Sequence, residues 1–206
     1  QRQAVARLEK LGSQRDFAVY VNAPDSVEGI VENVLELGSL AGASERAERI
    51  AGTMRHQIAR LRAAVEGLDR RRSALYVIYG PEPLWTTGGD SFLGRAIETA
   101  GLRNIFAELS GYTQVSREQV VAKDPEVIVL GPDVPMSDEK VSGHFGGTLK
   151  AVAEERIVHL SRAQGSMLQQ RQSETVRAMI ALFEAAYDRT LDADDDTPSE
   201  QPAYAR

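Results

Sequence analysis

The stretch ALYVIYGPEPLWTTGGDSFLGRAIETAGLRNIFAELSGYTQVSREQVVAKDPEVIVL, Ala74 to Leu130, decides the fold class. It opens on a short apolar strand, Ala74 to Tyr79, and closes on another, Val127 to Leu130. Between them lie helical patterns at Ser91 to Ala100 and Ser116 to Ala122. Downstream the alternation continues with a helix near Gly147 to Ala153, a strand at Ile157 to Leu160 and a helix from Gln169 to Tyr187. Short continuous apolar strands separated by helices predict an α/β fold. The expected architecture is a three-layer α/β/α lobe with a mostly parallel sheet covered on both faces. Ligands of such sheets bind beyond the carboxyl ends of the strands. The loops after Tyr79, Leu130 and Leu160 are therefore the places to look for a site.

Upstream, Arg2 to Leu11 reads as the end of an amphipathic helix carrying Val5 and Leu8 and stopped by Gly12. Phe17 to Val21 reads as a short buried strand. Asp25 or Ser26 caps a helix whose face Val27, Ile30, Val31, Val34 and Leu35 runs on to Leu40, and Gly42 ends it. From Ser44 to Leu68, Ile50, Met54, Ile58, Leu61, Val65 and Leu68 recur at steps of three and four, with charged residues elsewhere. At 1.5 Å per residue that helix extends ~37 Å, long enough to join two bodies. The same pattern is also compatible with a coiled-coil hairpin or a surface helix.

Charge and composition exclude several functions. Net charge is −6, and the segment from Leu191 to Arg206 holds Asp192, Asp194, Asp195, Asp196 and Glu200 against Arg206 alone, leaving the body at −2. The basic run Arg70, Arg71, Arg72 is too short for the counterion displacement that nucleic-acid binding needs. With no cysteine, disulfides and thiolate chemistry are absent. No apolar run approaches the ~20 residues of a membrane span, and Gln1 opens directly into helical pattern. Any export signal or lipid-anchor cysteine is thus expected upstream. The acidic, proline-bearing segment from Asp192 onward lacks an apolar period and is expected to be disordered.

Enzyme signatures are scarce. There is no nucleophile elbow, phosphate loop, dinucleotide fingerprint or zinc-protease motif. His56, His144 and His159 are too scattered to suggest a metal trio, so neither a metal nor a cofactor is expected. Turn residues concentrate from Gly80 to Gly89, with Trp85 expected at the loop tip. Trp85 either supplies a ligand contact or folds back as a satellite of the core. Tyr112 is expected at a second loop tip, ahead of a helix start in which Ser116 and Gln119 form a capping box. Glu118 lies in that helix's first turn, where a carboxylate complements the helix dipole for structural reasons alone.

WTTGGDSFLGRAIETAGLRNIF (Trp85 to Phe106) and GYTQVSREQVVAKDPEVIVL (Gly111 to Leu130) resemble the second lobe of periplasmic binding proteins with a helical backbone, the cobalamin and iron-siderophore receptors of ABC importers. That resemblance implies a non-catalytic receptor whose two α/β lobes are joined by one long helix and hold a corrinoid or ferric chelate between them. It divides the chain into an N-terminal lobe remnant (1–42), the connecting helix (43–70), the second lobe (73–188) and an acidic tail (189–206). Trp85 and Tyr112 then match aromatic ligand contacts, and Glu118 matches the glutamate that docks onto arginines of the permease subunits. Arg162 is the polar ligand candidate, although its loop carries Gln170-Arg171 where relatives have a Pro-Arg pair. The implied setting is the periplasm, or the outer face of the cytoplasmic membrane for a lipoprotein, with a monomeric receptor. A competing reading makes the Gly80 to Gly89 loop an anion cradle in an enzyme or metallochaperone lobe.

Overall fold

The sheet is built from strands whose successive side chains serve two different cores. In β1 (Ser73–Val77), Ala74 and Tyr76 point into one apolar cluster while Leu75 and Val77 point into the other. In β5 (Val127–Leu130), Val127 and Val129 join the first cluster, and Ile128 and Leu130 the second. A strand buried on both faces needs no polar side, which is why these segments read as unbroken apolar runs.

The structure is a computed structural model that describes residues 2–15, 19–21, 23–165 and 173–191. Its elements run α1 (Arg2–Arg15), α2 (Val27–Leu40), α3 (Ser44–Glu66), β1, β2 (Leu84–Thr87), α4 (Phe92–Thr99), β3 (Arg103–Asn104) and β4 (Tyr112–Val115). There follow α5 (Arg117–Lys123), β5, α6 (Asp138–Phe145), α7 (Lys150–Ala153), β6 (Ile157–His159) and α8 (Thr175–Tyr187). The main sheet has the order β3-β1-β5-β6, every neighbour parallel, with Ala74 opposite Val127 and Ile128 opposite Ile157. Helices α2, α3, α4 and α8 cover one face, and α5, α6 and α7 line the other. The three-layer α/β/α architecture expected from the alternation is the one observed.

α3 is a single unbroken helix of 23 residues, about 34 Å long, capped by Gly67. The segment is therefore not itself broken into a hairpin, although it packs against α2 across the short connection 41–43. Its buried stripe is Ala47, Ala51, Met54, Ile58, Leu61 and Val65, whereas Ile50, expected on that face, is exposed. Small residues replace it because α2 comes very close: a Cβ on Gly38 would lie 2.1 Å from the Ala47 Cβ. α2 itself starts at Ser26, whose hydroxyl accepts the Gly29 N–H, so Ser26 rather than Asp25 is the cap.

Other expectations need correction. Residues 19–21 form no strand, with Tyr20 and Val21 exposed, while Phe17 lies outside the described residues. β2 and α6 occupy segments read as loop, and β3 was not anticipated. The start expected for the last helix, Gln169 to Gln172, lies outside the described residues, as does the segment from Asp192 to Arg206.

Candidate functional site

At the carboxyl end of β1 the chain turns through Gly80 to Pro83 and returns as β2. The Ile78 N–H donates to the Trp85 carbonyl, and the Trp85 N–H to the Tyr79 carbonyl. β2 then pairs antiparallel with β4, with Trp85 opposite Gln114 and Thr87 opposite Tyr112. Trp85 therefore sits inside a strand rather than at a loop tip, and Tyr112 begins one. Turn-rich composition concealed β2 because the strand is only four residues long and Leu84 is its sole aliphatic residue.

Pairing register decides which side chains share a face. Tyr79 bridges to Trp85, Trp85 pairs with Gln114, and Tyr112 pairs with Thr87 two residues along from Trp85. Tyr79, Trp85 and Tyr112 thus lie on one side of the ribbon, and all three are exposed, at 53%, 37% and 54%. Leu84, Thr86 and Val115 lie on the other side and are buried. The Thr86 hydroxyl also donates to the Tyr76 carbonyl at 2.7 Å, fastening the ribbon to β1. Tyr79 was missed from sequence, although its place two residues past the end of β1 is where a return strand would pair.

The glycine pair behind the ribbon has a packing role. A Cβ on Gly88 would lie 1.9 Å from the Leu109 carbonyl oxygen, and one on Gly89 2.6 Å from that of Ala107. Their N–H groups are already used, Gly88 donating to the Gly111 carbonyl and Gly89 to that of Ala107. Asp90 accepts the Gly111 N–H at 2.6 Å, and that bond holds its carboxyl below the usual range. An anion cradle needs free donors and no resident carboxylate. The Gly88-Gly89 pair, with Asp90 beside it, offers neither.

Glu118 is exposed in the first turn of α5, three residues beyond the end of β4. The capping box is present: Ser116 Oγ accepts from Gln119 N, and Gln119 Oε1 from Ser116 N. The Glu118 pKa is lowered first by its own backbone N–H, then by the Ser116 hydroxyl, with smaller contributions from Arg117 and His144. Beside it Pro81, Glu82, Gln114, Arg117 and His144 line a concavity of about 440 Å³. Arg162 follows β6 at the same carboxyl edge, highly exposed, with Nη2 3.6 Å from Asp133 Oδ1. It stands two strands away from β1, roughly 10 Å by strand spacing, along the same carboxyl edge as the ring face.

Among the described residues no cluster of three metal-ligating side chains occurs, and no helix is long and apolar enough to cross a membrane. His56 is exposed on α3, His144 lies against Phe145 on α6, and His159 ends β6 with Nε2 2.6 Å from Asp138 Oδ1.

The sequence profile of the periplasmic binding protein family matches residues 7–163. The chain belongs to that family. Within it, a cobalamin-binding protein of Halobacterium salinarum is 35% identical over 123 residues, covering 58% of this chain and 33% of its own length. A vitamin B12-binding protein of Pectobacterium carotovorum is 30% identical over 125 residues, covering 60% of this chain and 45% of its own. The chain thus spans a third to just under half of these relatives. Among solved structures, the periplasmic vitamin B12-binding protein of Vibrio cholerae superposes with a TM-score of 0.77 at 21% identity, over 90% of this chain and 69% of that one. A periplasmic heme-binding protein of a Roseiflexus species gives 0.75 at 20%, over 91% and 72%. These two likenesses establish the shared fold. The curated relatives are named as binding proteins rather than enzymes, consistent with the scarcity of catalytic motifs.

Proposed function

We propose that this chain is the second lobe and connecting helix of the substrate-binding component of an ABC importer. It captures cobalamin, or a ferric siderophore or heme-type chelate, and delivers it to the membrane permease from the periplasmic side. In this reading residues 1–42 are the remnant of a first lobe, α3 is the inter-lobe helix and residues 73–188 are the ligand-bearing lobe. The observation that carries it is the common face of Tyr79, Trp85 and Tyr112 at the carboxyl edge of a parallel sheet. Large flat chelates bury their area against rigid rings at low entropic cost, so three exposed rings on one ribbon suit them better than a small polar solute. The names of the curated relatives favour a corrinoid. Arg162 contributes a polar contact across the edge, and Glu118 docks onto basic residues of the permease. A rim carboxylate of that kind acts chiefly on encounter rate and register.

Tryptophan fluorescence of the full-length protein, titrated with cyanocobalamin and separately with a ferric siderophore, tests the assignment. Saturable quenching by one of the two is expected, and calorimetric affinity for that ligand should weaken by about tenfold or more in Trp85→Ala. Failure of both ligands to bind, or an affinity untouched by Trp85→Ala, would overturn it.

A further inference from the structure

The register that gathers Tyr79, Trp85 and Tyr112 places a fourth side chain on the same face. Gln114 pairs directly opposite Trp85, stands two residues from Tyr112 on β4, and is exposed. Side chains two apart on a strand project to the same side. Among the described residues neither the Gln114 carboxamide nor the hydroxyls of Tyr79 and Tyr112 has a hydrogen-bond partner. The polar equipment of the face is thus one amide and two phenols, and neither β2 nor β4 carries a charged residue.

The surroundings of the face do not favour an anion. Gln114 also borders the concavity beside Glu118, whose ionisable groups are Glu82, Arg117, Glu118 and His144. Two carboxylates there stand against one guanidinium; the Arg117 Nε already donates to the His144 carbonyl, and the His144 Nε2 is buried. At the other end of the ribbon Asp90 accepts the Gly111 N–H, while Arg95 donates to the Asp90 carbonyl. Arg162, farther along the edge, faces Asp133. A carboxylate brought against Gln114 would give up hydration and meet like charge from Glu82 and Glu118.

A primary amide meets the opposite reception. A carboxamide offers two N–H donors and a carbonyl acceptor, so two amides pair reciprocally, each donating to the other's carbonyl. Against a carboxylate only the donors of Gln114 are used, and its carbonyl is left facing a negative oxygen. A polar group left unpaired in a contact costs more than a formed pair gains. Corrinoids carry primary amides around their rim, whereas hemes carry carboxylates.

We infer that Gln114 is a specificity-determining residue of the ring face. The rings hold a flat chelate, and the amide selects one whose rim bears uncharged primary amides over one that bears carboxylates. The inference rests on the receptor reading and narrows its ligand class.

Calorimetric titration of the full-length protein tests it with cyanocobalamin, with the isomeric monocarboxylates made by hydrolysing one rim amide, and with hemin. Cyanocobalamin should bind most tightly, and at least one monocarboxylate should be weaker by about tenfold. Gln114→Leu keeps apolar area on the face and removes the amide. It should weaken cyanocobalamin by about fivefold and bring that monocarboxylate to within about twofold of it. Should Gln114→Leu fail to fold, Gln114→Met carries the same expectation. Monocarboxylates that all bind as tightly as cyanocobalamin, hemin binding more tightly, or a ratio untouched by loss of the amide overturns the inference and leaves the receptor reading standing. Absence of binding by all of these ligands and by a ferric siderophore overturns both.

Discussion

The hydroxyl of Tyr76 lies in the core with no hydrogen-bond partner among the described residues, and burial pushes its pKa well above the usual phenol range. A buried donor left unsatisfied carries its full desolvation cost. Replacing it by an isosteric ring removes that cost without opening a cavity. Tyr76→Phe is therefore expected to stabilise the fold by about 1 kcal/mol, read as a raised urea midpoint at constant m. Glu126 behaves in the opposite sense. It pairs with Arg70 and accepts from the N–H and hydroxyl of Ser73, and these bonds, Arg70's foremost, pull its pKa to about 2. Because the folded-state pKa is depressed, the stabilisation is complete above the unfolded-state carboxyl value. It is lost as pH falls from about 4.5 toward about 2. With Arg70 largely exposed and screened, we expect a loss on the order of 2 kcal/mol across that window. Glu126→Gln should flatten it in acid titrations of thermal stability.

Among the elements, the ribbon of β2 and β4 depends on close backbone packing behind it. Gly88→Ala should cost about 2 kcal/mol or more, since its Cβ would meet the rigid Leu109 carbonyl rather than a movable side chain. Thermal denaturation measures the cost, and near-ultraviolet circular dichroism of Trp85 reports whether the ribbon shifts with it. The elements also show where sequence reading succeeds. Val127 to Leu130 was legible because a strand buried on both faces writes an unmixed apolar run, and the Ser116 capping box because its partners lie three residues apart. β2 was not legible: Leu-Trp-Thr-Thr is held by Tyr79 on one side and β4 on the other, 25 to 31 residues downstream. α6 was hidden in the same way, since only Val141 and Phe145 mark its buried side.

For the molecule as a whole, the proposed capture and delivery steps separate in space. The rings stand on the ribbon, while Glu118 stands on the next helix. Glu118→Ala is expected to leave ligand affinity in solution unchanged and to lower the association rate with permease-containing vesicles by severalfold at low salt. Stopped-flow mixing across an ionic-strength series checks it. A matched fall in ligand affinity would instead place Glu118 in the ligand contact set.

By itself the sequence determined the layering, the parallel strands, the long helix α3 and the Ser116 capping box, because each follows from periodicity or bonds within a few residues, whereas the stop expected at Gly12 fails, since α1 runs on to Arg15. The family resemblance was legible in the same way, in the contiguous phrases between Trp85 and Leu130. What tertiary structure alone decided is the composition of the ring face, where Tyr79 joins Trp85 and Tyr112, and the use of small residues in the seam of α3. Both depend on how strands and helices distant along the chain come into register, and local patterns in a single chain do not encode that distance.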